Sequence, residues 1–328
     1  MGRNVALTHS LFSSQKLTPG LYNLIQAHSY TLILDEVLDV VTLVNISEAD
    51  MRMLFDTEKI VVGEDGCVQW KDSDYKGEFT HLKRQAENRS LIWYNHKIFL
   101  WLFPVEILRA FEEVFVLTFL FQGSHMKYYL DIHQVKYTIH YVEAGCLKSG
   151  KQDVGMITQS LIPLIDIYQG NLNGIGDVST ALSVSWYKKY KRDGKFEAVT
   201  LNANNYFRHK CGAKSSETLW TCFQDISRRF PVRDYQGGVC PCNARATNEY
   251  KTRKHLAYLV NVYDHPFVVG WFRDHGAKVD EDALALGQLL QWIWRSAIRD
   301  GNPITIYIPS SRMRKLLEDW LMQSPCGK

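Results

Sequence analysis

Apolar and polar positions follow two periods along this chain. Thr31 to Leu34 is a dense apolar run that reads as a buried strand. Val114 to Phe121 (VFVLTFLF) is a second, β-branched and aromatic run, long enough for a buried parallel strand. Shorter runs at 4–7, 137–142, 198–201 and 304–308 also read as strands, and residues 161–168 are apolar again. A hairpin or turn is expected over 61–69, where Gly63 and Gly66 interrupt the run. A helical period marks 17–27, which opens on Thr18-Pro19 with proline at the first helical position. Ser47 and Asp50 look like a cap for a helix over 51–55. Further helices are expected at 103–111, 215–230 and 312–321, with mixed helical character at 256–263. The strongest helical pattern is 282–299. There Leu284, Leu286, Leu289, Leu290, Ile293, Trp294 and Ile298 share one broad face, and Gly301 ends it.

Strands alternating with helices argue for an α/β protein of parallel layers. A glycine- and lysine-containing stretch at 145–155 is the best hinge, so two α/β units are expected, 1–145 and 146–328. The 328 residues are 46% hydrophobic and 12% aromatic, which supports a sizeable core and excludes a disordered chain. The formal net charge of +3 neither demands nor excludes a nucleic-acid partner. Seven cysteines, odd in number and scattered, point to reduced thiols in a cytosol-like compartment, and Cys240-Pro-Cys242 is too tight for a zinc hook. The N-terminus has no apolar signal core. The longest apolar run, Ile98 to Pro104, is far short of the roughly 20 residues of a membrane span. A cytoplasmic protein with no membrane partner is expected.

Candidate chemistry begins at the end of the first strand, where LIL runs into Asp35 and Glu36. In nucleotide-hydrolysing α/β domains, an Asp at a strand's carboxyl edge holds hydrated Mg²⁺, and a neighbouring Glu can polarise the attacking water. An apolar strand running into a solvated loop would look the same. The only glycine–lysine phosphate-loop match, Gly145 to Lys151, continues into Gln152 and Asp153, where a hydroxyl and a phosphate belong; it reads as a linker. Gln291, Arg295 and Arg299 are spaced by four and fall on one face of the expected helix. That layout can aim an arginine finger at a γ-phosphate, or form a solvated stripe. Basic clusters at 188–192, 228–233, 251–254 and 312–315, the first interleaved with tyrosines and Trp186, suit single-stranded nucleic acid or solvated faces. His9, His125 and His265 read as packed or surface residues, and Trp292, Trp294 and Trp320 as core.

Taken in order, these blocks resemble the superfamily 2, DEAD/DEAH-box-like helicases of phages and mobile elements. NVALTHSLF at 4–12 is similar to the segment after the first helicase motif, LILDE at 32–36 to the Asp-Glu motif, and VFVLTFLF at 114–121 to the coupling strand. NANNYFR at 202–208, NARATNEY at 243–250 and QWIWRSAIRDGNPITIYIPSSRMRKLL at 291–317 resemble the motifs of a second domain. The resemblance implies two RecA-like (P-loop NTPase-type) parallel-sheet domains, the first incomplete, with ATP and Mg²⁺ between them and nucleic acid as partner, DNA ahead of RNA. Carried over by position, Asp35 would hold Mg²⁺ through water and Glu36 would activate water. Gln291, Arg295 and Arg299 would face the phosphates, either arginine serving as finger. Arg245 and Thr247 would lie at the nucleotide interface. Thr8, His9, Thr118, Asn205, Asn243 and Asn248 would couple to nucleic acid. The family's Gly-Lys-Thr loop precedes the THSLF block, and here only seven residues precede Thr8. A partner chain or an upstream segment would supply it, or ATPase activity is lost, so weak or no turnover is expected of this chain alone. A catalytically inert nucleic-acid-binding or assembly module with the same frame is the alternative.

Overall fold

The computed structural model describes residues 4–12, 19–190, 193–227, 233–243 and 249–324. The chain divides into two units, 1–136 with 264–280, and 137–263 with 281–328. Both units mix α and β.

The first unit opens with α1 (His9–Phe12) and α2 (Pro19–Ala27). β1 (Thr31–Leu34) comes next, then β2 (Val41–Leu43) and α3 (Glu48–Asp56). Ser47 caps α3: its hydroxyl accepts from the Asp50 amide at 3.1 Å, and Glu48 and Asp50 place negative charge where the helix dipole favours it. β3 (Ile60–Val62) and β4 (Val68–Trp70) form the expected hairpin, with Gly66 at φ +77° in the turn. α4 (Thr80–Glu87) leads to β5 (Leu91–Tyr94) and β6 (Ile98–Leu102). Asn95 and His96, both with positive φ, turn the chain between these strands in the sense that matches strand twist. β2, β6 and β5 pair antiparallel in that order, with Thr42 and Leu91 on either side of Trp101. α5 (Val105–Ala110), β7 (Glu113–Val116) and α6 (His125–Ile132) complete this stretch. β7 pairs parallel with β1, Leu34 opposite Val116. The main core gathers Leu34, Leu38, Val40, Leu100, Phe103 and Tyr129 with Trp271 and Phe272 from the returning segment 264–280. A second cluster, Leu54, Ile60, Val68, Leu82, Leu91 and Phe99, lies under α3 and α4.

The second unit starts with a hairpin of β8 (His140–Glu143) and β9 (Cys146–Ser149). α7 (Val154–Leu161) precedes β10 (Ile165–Ile167), and α8 (Val184–Lys189) and α9 (Gly194–Asn205) cross to β11 (Thr218–Thr221). Next in the chain are α10 (Gln224–Ser227), β12 (His255–Tyr258), α11 (Pro266–Asp274, which belongs to the first unit), α12 (Glu281–Ile293), β13 (Ile304–Tyr307) and α13 (Ser311–Leu321). The sheet is all parallel in the order β10-β13-β12-β11. β11 is buried along its whole length and β12 nearly so, as a sheet covered on both faces requires.

Several expectations are corrected. Residues 4–7 form no strand and are exposed. Ala198 to Leu201 lies inside α9, because Phe196, Val199, Thr200 and Ala203 bury one helical face behind the Asp193 cap. The helix expected over 215–230 is instead β11 and the short α10, and 256–263 is β12 and its carboxyl edge. Fully buried strands lack the period of two that separates strand from helix. The run at 114–121 contributes three residues to the four-residue β7, and one face of that strand is open. The helix expected over 282–299 stops at Ile293. Ser296 is extended (φ −88°, ψ −171°), and Ala297–Asp300 is a separate 3₁₀ turn.

Candidate functional site

In-register pairing of β1 with β7 sets the residues just past each strand side by side. Asp35 and Glu36 leave β1, and Thr118 lies two residues beyond β7, whose continuation is tied back by the Leu117 amide donating to the Leu34 carbonyl at 2.8 Å. His9, at the start of α1, reaches the same edge: its Nε2 lies 2.8 Å from Asp35 Oδ1. The His9 side chain is 18% exposed and the Asp35 carboxylate 75%, so the imidazole is set into the protein while the carboxylate keeps water around it. Thr8 precedes His9 directly. Thr118 is half-buried, and two residues on Leu120 sits at φ 56°, ψ 42°, a left-handed conformation that a branched residue holds only under constraint. His9 and Asp35 thus meet at this carboxyl edge, with Thr8 and Glu36 next to them in sequence and Thr118 two residues past the paired strand; open α/β sheets bind ligands at such an edge.

This donor set fits hydrated Mg²⁺, which takes one or two carboxylates and completes its shell with water and phosphate oxygens. Among the described residues no group of three His, Cys, Asp or Glu side chains converges, so an all-protein metal cage is not part of the site. The Gly145 to Lys151 match folds into the β8–β9 hairpin. The next helix, α7, is already capped by Asp153, whose Oδ1 accepts from the Gly155 amide at 2.9 Å. A carboxylate stands where a phosphate would have to bind.

The second unit disperses its predicted residues. Gln291 is half-buried on the last turn of α12, Arg295 lies in the turn beyond it, and Arg299 is exposed on the separate 3₁₀ turn. The single helical face expected for all three is therefore corrected: the helix ends before the register reaches Arg299. Arg295 acts electrostatically on Cys240, whose thiol burial pushes up to about 11 against the opposing pull of the guanidinium. Trp292 Nε1 donates to the Cys240 carbonyl at 3.1 Å, packing the end of α12 on that segment. Asn205 is exposed at the end of α9 and Asn243 is exposed in a turn. Arg245, Thr247 and Asn248 lie outside the described residues, as do Lys191, Arg192 and Arg228 to Val232.

The polar centre of this unit is one that sequence spacing missed. Buried Asn261, just past β12, donates to the Ser179 and Ala181 carbonyls at 2.7 and 2.9 Å. Its Oδ1 accepts from Arg312 Nη1 at 3.0 Å. Arg312 also donates to the Val262 and Glu281 carbonyls, pairs with Asp282 at 2.7 Å and lies 4.2 Å from the Tyr263 ring centroid. Arg314 is bound to the Ile308 and Pro309 carbonyls. The 312–315 cluster is therefore structural at its two arginines. Arg253 is likewise tied to the Ser215 and Gly237 carbonyls, and Trp186 is buried, unavailable as a stacking platform. His125 pairs with Asp264 at 2.5 Å and joins the returning segment to α6 within the first unit. His265 caps α11 by accepting from the Phe267 amide. Trp292 and Trp320 are core, whereas Trp294 is exposed. No helix among the described residues is long and apolar enough to cross a membrane.

Residues 159–321 match the family described as the YonV C-terminal Rossmann-like domain, and residues 41–101 match the YonV middle domain. The SPbeta prophage-derived protein YonV of Bacillus subtilis strain 168 is 39% identical over 330 residues, covering 97% of this chain and 79% of that protein. The chain belongs to the YonV family. The YonV C-terminal domain takes in the four-stranded parallel sheet with α12 and α13, and the YonV middle domain takes in β2 to β6. The Asp35 edge, carried by β1 and β7, falls outside both matched regions. No solved structure matches the chain.

Proposed function

We propose that the chain is a helicase-like, nucleic-acid-directed nucleotide-binding protein of a phage or mobile element, with little ATP turnover of its own. The observation that carries this reading is the carboxyl edge of the β1–β7 pair. There Asp35 and Glu36 stand beside Thr118, and His9 lies 2.8 Å from Asp35. In this reading Asp35 and Glu36 would hold hydrated Mg²⁺, which would supply charge stabilisation for bound phosphates, and Thr118 would couple the site to nucleic acid. The Rossmann-like C-terminal domain supports a second α/β layer for the superfamily 2 frame of two RecA-like domains, and the prophage source of the YonV relative supports the phage setting. Low turnover is inferred from the one glycine–lysine match being a hairpin that ends in a carboxylate-capped helix. That same feature favours the non-catalytic nucleic-acid-binding module as the second reading.

Titration of the purified chain with Mg²⁺–ATP and with single-stranded DNA, beside Asp35→Asn and Glu36→Gln, tests it. Binding of ATP should require Mg²⁺ and weaken about tenfold in Asp35→Asn, the loss of one charge-assisted contact. DNA affinity should fall steeply with salt as counterions are released. Magnesium-independent or absent ATP binding with DNA binding retained selects the non-catalytic module, and a flat salt response sinks both. Robust hydrolysis would overturn the low-turnover statement.

A further inference from the structure

The middle domain holds a pocket of about 330 Å³ between α4 and β2, the edge strand of its sheet. Thr42 and Trp101 are register partners and share one sheet face, with Val44 two residues on. Across the pocket, His81 and Gln85 are four apart and share one face of α4. The Val40 carbonyl accepts from the Phe103 amide, and the Val44 amide donates to the Phe99 carbonyl. By the alternation of an antiparallel pair, Leu43 therefore turns its main-chain N–H and C=O away from β6, on the open side of the sheet. Gln85 is only 6% exposed, yet its Oε1 is buried without a hydrogen-bond partner. Its backbone is fixed: the Gln85 carbonyl accepts from the Ser90 hydroxyl at 3.0 Å, and the Ser90 carbonyl accepts from the Leu102 amide at 2.8 Å. Trp101 is held edge-on against Phe103, with ring centroids 6.2 Å apart. A buried amide oxygen left unpaired costs stability that a ligand able to donate to it would restore.

The lining decides the class of ligand. No Asp, Glu, Lys or Arg lines the pocket, so it offers no counter-charge to a phosphate, a carboxylate or an ammonium group. It offers the Trp101 indole, the apolar Leu43 and Val44, and neutral hydrogen-bonding groups on Thr42, Asn45 and Gln85. A side-chain amide carries a donor and an acceptor side by side, and it pairs with an edge that presents the same two in reverse. A planar, uncharged heterocycle with such an edge, and with a face to lay on an indole, is a nucleobase. We propose that this pocket binds a single nucleobase, its face against Trp101 and its hydrogen-bonding edge on the Gln85 amide. The volume lies at the lower end for ligand pockets, which suits one heterocycle with its sugar at the mouth. The base belongs to a free nucleoside or to an unpaired position in a single strand, and the same contacts serve both. Arg84, exposed on α4 next to Gln85, supplies a cation for the phosphate of a strand. Every lining residue falls within 41–101, the matched middle domain, so the site shares no residue with the Asp35 edge and does not rest on the Mg²⁺–ATP reading.

Calorimetric titration of the full chain with adenosine, guanosine, cytidine and uridine, and with short single-stranded oligonucleotides of one base each, is the test. One base should bind at least about tenfold tighter than the others, as edge readout by an amide gives. Binding of the nucleoside identifies a free ligand, and binding of the oligonucleotide alone identifies a base within a strand; either supports the site. The bound base should slow amide exchange at 42–45 and 81–85. Gln85→Leu removes the unpaired amide, so it should keep or raise the thermal midpoint while weakening base binding about ten- to hundredfold. Asp35→Asn should leave base binding unchanged, whatever it does to Mg²⁺–ATP. Failure of every nucleoside and oligonucleotide to bind, undiminished binding by Gln85→Leu, or protection confined to other segments would each overturn the proposal. So would an extended peptide that protects 41–44 where the bases do not, since β2 would then be an edge for strand addition.

Discussion

The Arg312 guanidinium meets Asn261, two main-chain carbonyls, Asp282 and the Tyr263 ring, and almost every one of its donors is committed. Removing Asn261 takes its donor from the Ala181 carbonyl and its acceptor from the guanidinium, while the Ser179 carbonyl keeps the Tyr263 hydroxyl; unsatisfied buried groups cost more than the bonds they replace. Asn261→Ala should destabilise the second unit by about 3 kcal/mol, read as a lower urea midpoint by far-ultraviolet circular dichroism. Lys315→Ala, whose side chain is mostly exposed and pairs with Asp319 on its own helix, should change stability by about 0.5 kcal/mol or less. The contrast separates a scaffold arginine from a surface charge run, which the spacing Arg-x-Arg-Lys alone could not do. What was legible at this scale was local chemistry. Ser47 with Asp50 gave a cap, Asp35-Glu36 a carboxylate pair at a strand end, and Asp153 a reason to distrust the phosphate-loop match. Asn261 was not legible, because its partners lie between roughly 50 and 80 positions away in sequence and no spacing rule reaches that far.

The parallel sheet of the second unit joins its strands through side chains as well as ladders. His255 of β12 and Thr305 of β13 are register partners, with His255 Nδ1 3.0 Å from Thr305 Oγ1. Burial holds the His255 imidazole below its ordinary pKa of 6.5, with Glu217 pulling the other way. The folded state thus binds fewer protons than the unfolded chain just below that value. Its stabilising effect is whole above about pH 6.5 and is lost as pH falls toward the lowered value. Unfolding midpoints measured at about pH 7.5 and 5.5 should drop more in the native chain than in His255→Gln. A residual slope should remain, from His133 in the other unit, which burial also lowers. Gly176 sets a second constraint at this edge: a Cβ there would lie 1.9 Å from the Pro309 carbonyl oxygen. Gly176→Ala should force the 171–176 turn off the end of β13 and cost about 3 kcal/mol or prevent folding, seen as loss of a cooperative thermal transition. Elements with a clear period, such as α13, the β3–β4 hairpin and β13, were readable from sequence. β11 and β12 were not, since Thr218 to Thr221 is buried throughout and offers no polar face to set its period. The end of α12 was missed because Trp294 and Ile298 continue its apolar pattern after its hydrogen bonding has stopped.

Across the whole molecule, the expected division near residue 146 and the observed units, split between 136 and 137 with 264–280 returned to the first, describe different boundaries. Nothing local in FVVGWFRD announces that α11 leaves one unit for the other. Its apolar face is ordinary, and only the core that receives it is distant in sequence. Trp271→Ala or Phe272→Ala should destabilise the first unit by about 4 kcal/mol. Hydrogen exchange should then accelerate at 31–34 and 98–102 while 218–221 keeps its protection; faster exchange confined to the second unit would contradict the assignment. The same return has a consequence for biosynthesis. Chains emerge from the ribosome amino end first, and domains commonly fold in that order. Here Phe272, the His125–Asp264 pair and the Tyr94–Asp274 hydrogen bond are still untranslated when residue 136 appears. The first unit can complete its core around Leu100, Phe103 and Tyr129 only after most of the later sheet has been made, which couples the biosynthesis of the two halves.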